Sequence, residues 1–151
     1  MKIIDKKPEE LVPYINNPRI NDEAVPYVKE SINKFGFKVP IVIDKNNVIV
    51  AGHTRLKAAL DLHLETVPCI IADDLTEDQI RAFRLADNKT AELSSWNFEA
   101  LRDELDNIYD LDMDDFGFDE IAGPPRTRPR DYTGTICPRC GHIQGAKDDN
   151  Y

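Results

Sequence analysis

Apolar residues along this chain fall into short blocks whose spacing changes from one block to the next. Lys2-Ile3-Ile4 is a brief apolar run fit for an edge strand. Pro8, Pro13 and Pro18 then keep residues 8–20 out of regular helix, because each lacks an N–H and restricts its predecessor. Pro26 suits the first turn of a helix, where a missing donor costs nothing. Val28, Ile32 and Phe35 recur at i, i+4 and i+7, and Gly36 supplies a C-terminal cap. Val39 to Ile43 and Val48 to Val50 are β-branched runs separated by Asp44-Lys45-Asn46-Asn47, which predicts a β-hairpin.

Beyond the hairpin, Ala51-Gly52 breaks the second strand, and His53 to Leu62 predicts a helix with Leu56, Ala59 and Leu60 on one face. Val67 to Ile71 predicts another strand, with Pro68 at its start or on an edge. Thr76-Glu77-Asp78-Gln79 matches a capping box, so a helix is expected from Glu77 to about Ala86. Asn97 or Ser95 can cap a further helix through Tyr109, with Phe98, Leu101, Leu105 and Ile108 as its stripe. From Gly123 onward GPPRTRPRDYTGT has no apolar period. The expected organisation is an α+β domain with a small mixed sheet over residues 1–121, a linker over 122–136 and an extended tail over 137–151, with no internal repeat.

The 151 residues, 41% hydrophobic and 31% charged, fit one globular domain. No apolar run approaches the ~20 residues of a membrane span, and the start lacks a signal peptide's apolar region. Three cysteines, two of them in one motif, make no disulfide framework. A soluble cytoplasmic protein with no membrane partner is expected. The net charge of −9 is unevenly spread: +3 over residues 1–60, −5 over 61–95, −9 over 96–120 and +2 over 121–151. An anion site therefore belongs to the first 60 residues or to the arginines after 120. The acidic stretch is a solvated face or a contact surface for a basic partner.

Chemistry concentrates at Val48-Ile49-Val50-Ala51-Gly52-His53-Thr54-Arg55, a strand running through a glycine into a helix. Backbone N–H groups at a helix start are unpaired and the dipole favours anions, while Thr54 and Arg55 add donors suited to phosphate. Asp87-Asn88 offers a carboxylate beside an amide oxygen, two hard ligands for Mg²⁺; an ordinary helix end with Asn88 as a left-handed cap explains the same pair. Cys69, inside a predicted strand, reads as an inert buried thiol. In the tail, Cys137-Pro138-Arg139-Cys140-Gly141-His142 has the spacing of a zinc knuckle, with Cys137, Cys140 and His142 as candidate ligands and Asp148 a poor fourth, or with an ion shared between two chains; a free tail without metal explains the same residues.

Taken in order, Asn17-Pro18-Arg19, Gly36-Phe37-Lys38-Val39-Pro40-Ile41, Ala51-Gly52-His53-Thr54-Arg55, Val67-Pro68 and Ala86-Asp87-Asn88-Lys89 resemble the ParB/sulfiredoxin superfamily. The resemblance is to the ParB-like N-terminal or "ParB-like nuclease" domain, over about residues 3–110, and to the phage and mobile-element branch that often accompanies DNA methyltransferases. It implies a nucleotide site using Arg19, Gly36, Pro40, Gly52, His53, Thr54 and Arg55, with Asp87 and Asn88 serving Mg²⁺ and His53 and Asp87 as candidate catalytic groups. CTP is the nucleotide it implies. Two motifs depart from the family: Gly-His-Thr-Arg stands for Gly-Glu-Arg-Arg, and Asp-Asn-Lys-Thr for Glu-Asn-x-Gln-Arg. Sulfiredoxin activity is not expected, because His53 occupies the place of its nucleophilic cysteine.

The reading is a nucleotide-binding module in a DNA-modification or DNA-maintenance setting, with DNA bound weakly or through a partner such as a DNA methyltransferase, and a homodimer in keeping with it. The alternatives are a nuclease or phosphoryl-transfer enzyme and a non-catalytic interaction module. About 25–30 residues after Gly123, polar and proline-rich, are too few for a helix-turn-helix domain.

Overall fold

The computed structural model describes residues 2–119, residue 121 and the backbone of 135–136 and 143–144. Four strands, β1 (Ile3–Lys6), β2 (Ile41–Ile43), β3 (Ile49–Ala51) and β4 (Val67–Ile71), form one mixed sheet in the order β1-β4-β2-β3. β4 runs antiparallel to β1 and parallel to β2, while β2 and β3 make the expected hairpin with a register shift between Val42 and Ile43. Asp44 Oδ1 accepts from the N–H groups of Asn46 and Val48, both at 2.8 Å, and so fixes the hairpin turn. Pro68 sits in an interior strand, but ahead of Cys69, where the ladder to β2 begins, so its missing N–H breaks no bond on that side.

The helices are α1 (Val25–Phe35), α2 (His53–Asp61), α3 (Glu77–Leu93) and α4 (Phe98–Asp106). Gly36, at φ 76°, caps α1 and donates to the Ile32 carbonyl at 2.8 Å. The Thr76 capping box is present, with Gln79 N–H donating to Thr76 Oγ1 and Thr76 N–H to Gln79 Oε1. α3 does not stop near Ala86; it continues to Leu93. No Gly or Pro interrupts residues 86–93, and the polar side chains that suggested a stop bond back into the helix. Asn88 Nδ2 donates to the Arg84 carbonyl and Thr90 Oγ1 to that of Asp87. Asn97, rather than Ser95, caps α4, which ends at Asp106 in a tight turn short of the expected Tyr109.

The core joins Leu11, Ile41, Ile43, Ile49, Leu56, Ala59, Val67 and Cys69, with Ile4, Phe37, Leu64 and Ile71 around it. Ala58 rather than Leu60 completes the buried face of α2; Leu60 is exposed. Cys69 is free and fully buried, and burial pushes its thiol pKa up, in keeping with an inert thiol. The acidic segment turns back onto α1: Phe116 stacks on Phe35 with centroids 5.4 Å apart, and Trp96 meets Phe118 edge-on. Gly117, at φ 83°, lies against the Tyr27 ring, where a Cβ would come within 3.4 Å. Among the described residues, no helix is long and apolar enough to cross a membrane. β5 (Thr135–Ile136) and β6 (Ile143–Gln144) pair antiparallel. Cys137, Cys140, His142 and most of the expected linker and tail lie outside the described residues.

Candidate functional site

β3 passes through Gly52 into α2, and Gly52 holds φ 108°, a conformation that disfavours any side chain. Beside this turn opens a cavity of about 540 Å³. Its wall brings together Arg19, Gly36, Gly52, His53, Thr54 and Arg55, with Asp87 and Asn88 from the middle of α3. Pro40 is not on the wall. It enters the site through its carbonyl, which accepts from Arg55 Nη1 at 2.6 Å, while the Val39 carbonyl accepts from the same nitrogen at 2.7 Å. Arg55 thus ties the Gly36–Ile41 segment to the start of α2 before any ligand arrives. Burial pushes its pKa down and the Asp87 carboxylate holds it up.

Each neighbouring side chain is held as well. His53 Nε2 accepts from the Tyr14 N–H at 3.2 Å, so the lone pair a general base would use is engaged. Burial, then the cations of Arg84 and Lys57, push its pKa below the ordinary 6.5, which keeps the ring neutral and able to accept. Thr54 Oγ1 accepts from Asn21 Nδ2 at 2.8 Å, leaving the hydroxyl proton free to donate. Asn21 Oδ1 in turn accepts from Lys57 Nζ at 3.0 Å, and Lys57 also pairs with Asp22 at 2.5 Å. Arg19 reaches Glu92 on α3 at 3.4 Å, both half-exposed, a weak tie that a ligand anion can displace.

Among the described residues Asp87 is the single acidic residue on this wall. Asn88 turns its Nδ2 to the Arg84 carbonyl, which leaves Oδ1 as the acceptor. The pair fits the two protein ligands that Mg²⁺ takes when water and phosphate complete its shell. Among the described residues no three His, Cys, Asp or Glu side chains cluster as a metal group.

Sequence patterns did not single out Tyr14, Asn21, Lys57 or Arg84. Arg84 is about nine-tenths buried, donates from Nε to the Ile49 carbonyl at 3.1 Å and lies with its guanidinium carbon 3.8 Å above the Tyr14 ring. One signal existed: Arg84 falls four residues after Ile80, an inward position of α3 occupied by a charge.

The family model described as ParB N-terminal domain matches residues 3–89. The chain is 40% identical over 80 residues to the ParB-like nuclease domain-containing protein YnaK of Escherichia coli (strain K12), covering 52% of this chain and 92% of that protein. It is 35% identical over 91 residues to Stage 0 sporulation protein J of Bacillus subtilis (strain 168), covering 58% of this chain and 31% of that protein. In fold it is similar to the C-terminally truncated chromosome-partitioning protein ParB from Caulobacter crescentus complexed with CTP-gamma-S, with a TM-score of 0.62 and 20% identity. That likeness covers 73% of this chain and 64% of the other. The chain therefore spans most of one relative but about a third of the sporulation protein.

Proposed function

Because the chain belongs to the ParB N-terminal domain family, we propose that the cavity beside Gly52 binds a nucleoside triphosphate with Mg²⁺, CTP first among the candidates. The observation that carries this reading is the convergence of four distant segments on one wall: Arg19, the Gly36–Val39 stretch, the Gly52–Arg55 turn and Asp87-Asn88. A volume of about 540 Å³ suits a small-molecule site, which commonly spans ~300–1,000 Å³. Phosphates belong at the start of α2, where unpaired N–H groups, the Thr54 hydroxyl and the Arg55 and Arg19 guanidinium groups converge. The base belongs against Gly36 to Val39, beside Phe37 and Tyr27. Bound Mg²⁺ would neutralise phosphate charge, held by Asp87 and the Asn88 amide oxygen. The CTP-gamma-S carried by the Caulobacter relative supports the nucleotide class.

Calorimetric titration of the full chain with each NTP, with and without Mg²⁺, tests the proposal. Binding of at least one triphosphate is expected, and Asp87→Ala should weaken the Mg²⁺ complex more than the nucleotide in EDTA. No binding by any NTP would overturn it.

The name of YnaK favours a second reading, a nuclease. A single acidic residue on the wall supports it less, since metal-dependent phosphodiester cleavage commonly gathers several carboxylates around two ions. Any hydrolysis would draw on Asp87 and, once its Nε2 is released from the Tyr14 N–H, on His53. In a DNA-modification or DNA-maintenance setting, the proposal has DNA bound weakly or through a partner such as a DNA methyltransferase, and a homodimer is in keeping with it. Zinc at Cys137, Cys140 and His142 is a separate proposal resting on the C-x-x-C-G sequence. Metal analysis of protein prepared without added zinc, with a Cys137→Ser and Cys140→Ser double variant as control, decides it.

A further inference from the structure

A second cavity, of about 460 Å³, opens where residues 12–15 and the Asp44–Val48 turn meet the first turns of α3, and it shares no lining residue with the first. Its charged wall is balanced: Lys45, Arg81 and Arg84 against Asp44, Asp73 and Glu77. These six do not stand alike. Asp44 is committed to the hairpin turn, Arg81 is largely exposed beside Asp78, and Lys45, Asp73 and Glu77 are exposed. Arg84 alone is buried.

A guanidinium carries five N–H donors and keeps its charge at any ordinary pH. Arg84 uses Nε on the Ile49 carbonyl and holds its guanidinium carbon over the Tyr14 ring. Among the described residues no carboxylate pairs with it, it lines the cavity, and none of its side-chain nitrogens is both buried and without a partner, so its terminal nitrogens stay open to solvent and to an incoming anion. A buried cation without a counter-charge is costly, and a carboxylate meeting it in the bidentate geometry removes much of that cost. The three acids on the wall oppose a dianion such as phosphate and tolerate a single charge better.

We propose that this second cavity is a carboxylate-binding site in which Arg84 receives the anionic end of a small organic acid or of an acidic peptide side chain. The Ile49 carbonyl on Arg84 and the Tyr14 N–H on His53 place that site one contact away from the Gly52 turn.

The test is ¹⁵N-resolved NMR of the full chain, following the Arg84 Nε–H and the Tyr14 and Ile80 amides. The probes are acetate, glutamate blocked at both backbone ends, and inorganic phosphate, each at constant ionic strength. Both carboxylates are expected to produce a saturable shift, with a midpoint of ~1–10 mM, and phosphate none. Tighter binding of blocked glutamate than of acetate identifies a peptide side chain as the source, and equal binding a small organic acid. Arg84→Gln should raise the midpoint about tenfold or more, read at the amides. Leu75→Trp fills the cavity while leaving Arg84 in place, and should have the same effect if Arg84→Gln fails to fold. Absence of saturation, equal saturation by phosphate, or indifference to Leu75→Trp overturns the proposal.

Discussion

Arg55 has two roles that one substitution separates by measurement. Its Nη1 is spent on the Val39 and Pro40 carbonyls, and its charge lies within reach of Asp87. Arg55→Ala should lose about 1.5–3 kcal/mol of nucleotide affinity, the scale of a hydrogen bond to a charged group, measured by calorimetry. It should also lower the melting temperature, because two carbonyls lose their donor. His53 makes a pH prediction whose sign follows from its lowered pKa. Between the folded value and the ordinary 6.5 the unfolded chain binds the extra proton, so this contribution to stability is whole above about pH 6.5 and lost as the pH falls. Melting temperatures from about pH 7.5 to 5.5 should drop more for wild type than for His53→Gln, whose amide oxygen can still accept from Tyr14. Equal slopes would place the titration elsewhere.

At the scale of elements, Gly52 carries the join. A Cβ there would lie 3.3 Å from the Arg55 guanidinium, which the Val39 and Pro40 carbonyls hold in place, at a φ of 108° that L residues rarely adopt. Gly52→Ala should therefore cost about 1–3 kcal/mol in denaturant unfolding and weaken nucleotide binding as well. Thr76→Ala removes the α3 cap, far from that join, and should cost about 1 kcal/mol with nucleotide affinity unchanged. The same two elements show what a sequence can disclose. The strand–glycine–helix signal and the capping box are local, so both were legible. The reach of α3 was not, because its inward positions run Ile80, Arg84, Asn88 and the apolar period ends at the first of them. Nor were the ties from Tyr14 to His53, Asn21 to Thr54 and Arg84 to Ile49, whose partners stand 39, 33 and 35 residues apart and meet only through the sheet.

For the whole molecule, charge decides the relation to nucleic acid. Within the −9 stretch over residues 96–120, residues 113–117 pack back on α1, and Gly117 lies against Tyr27, which lines the first cavity. Nonspecific affinity for DNA comes mainly from Lys and Arg displacing counterions. A chain of net −9 should bind DNA at about 10⁻⁴ M or more weakly at physiological salt, and through Arg126, Arg128, Arg130 and Arg139. Fluorescence anisotropy should find that binding abolished in a chain ending near Ile121. Tight binding by that shortened chain would favour the nuclease reading instead.

α3 is also fastened unevenly along its length. Ile80 and Arg84 anchor its first half against β3, whereas from Leu85 to Leu93 every residue except Asn88 is exposed. Backbone amides in the two halves should therefore exchange with deuterium at different rates, slowly up to Arg84 and faster beyond it. A nucleotide that engages Asp87 and Asn88 lends the outer half an anchor beyond its weak Arg19–Glu92 tie. Adding nucleotide should slow exchange over residues 86–93 and leave residues 80–84 unchanged.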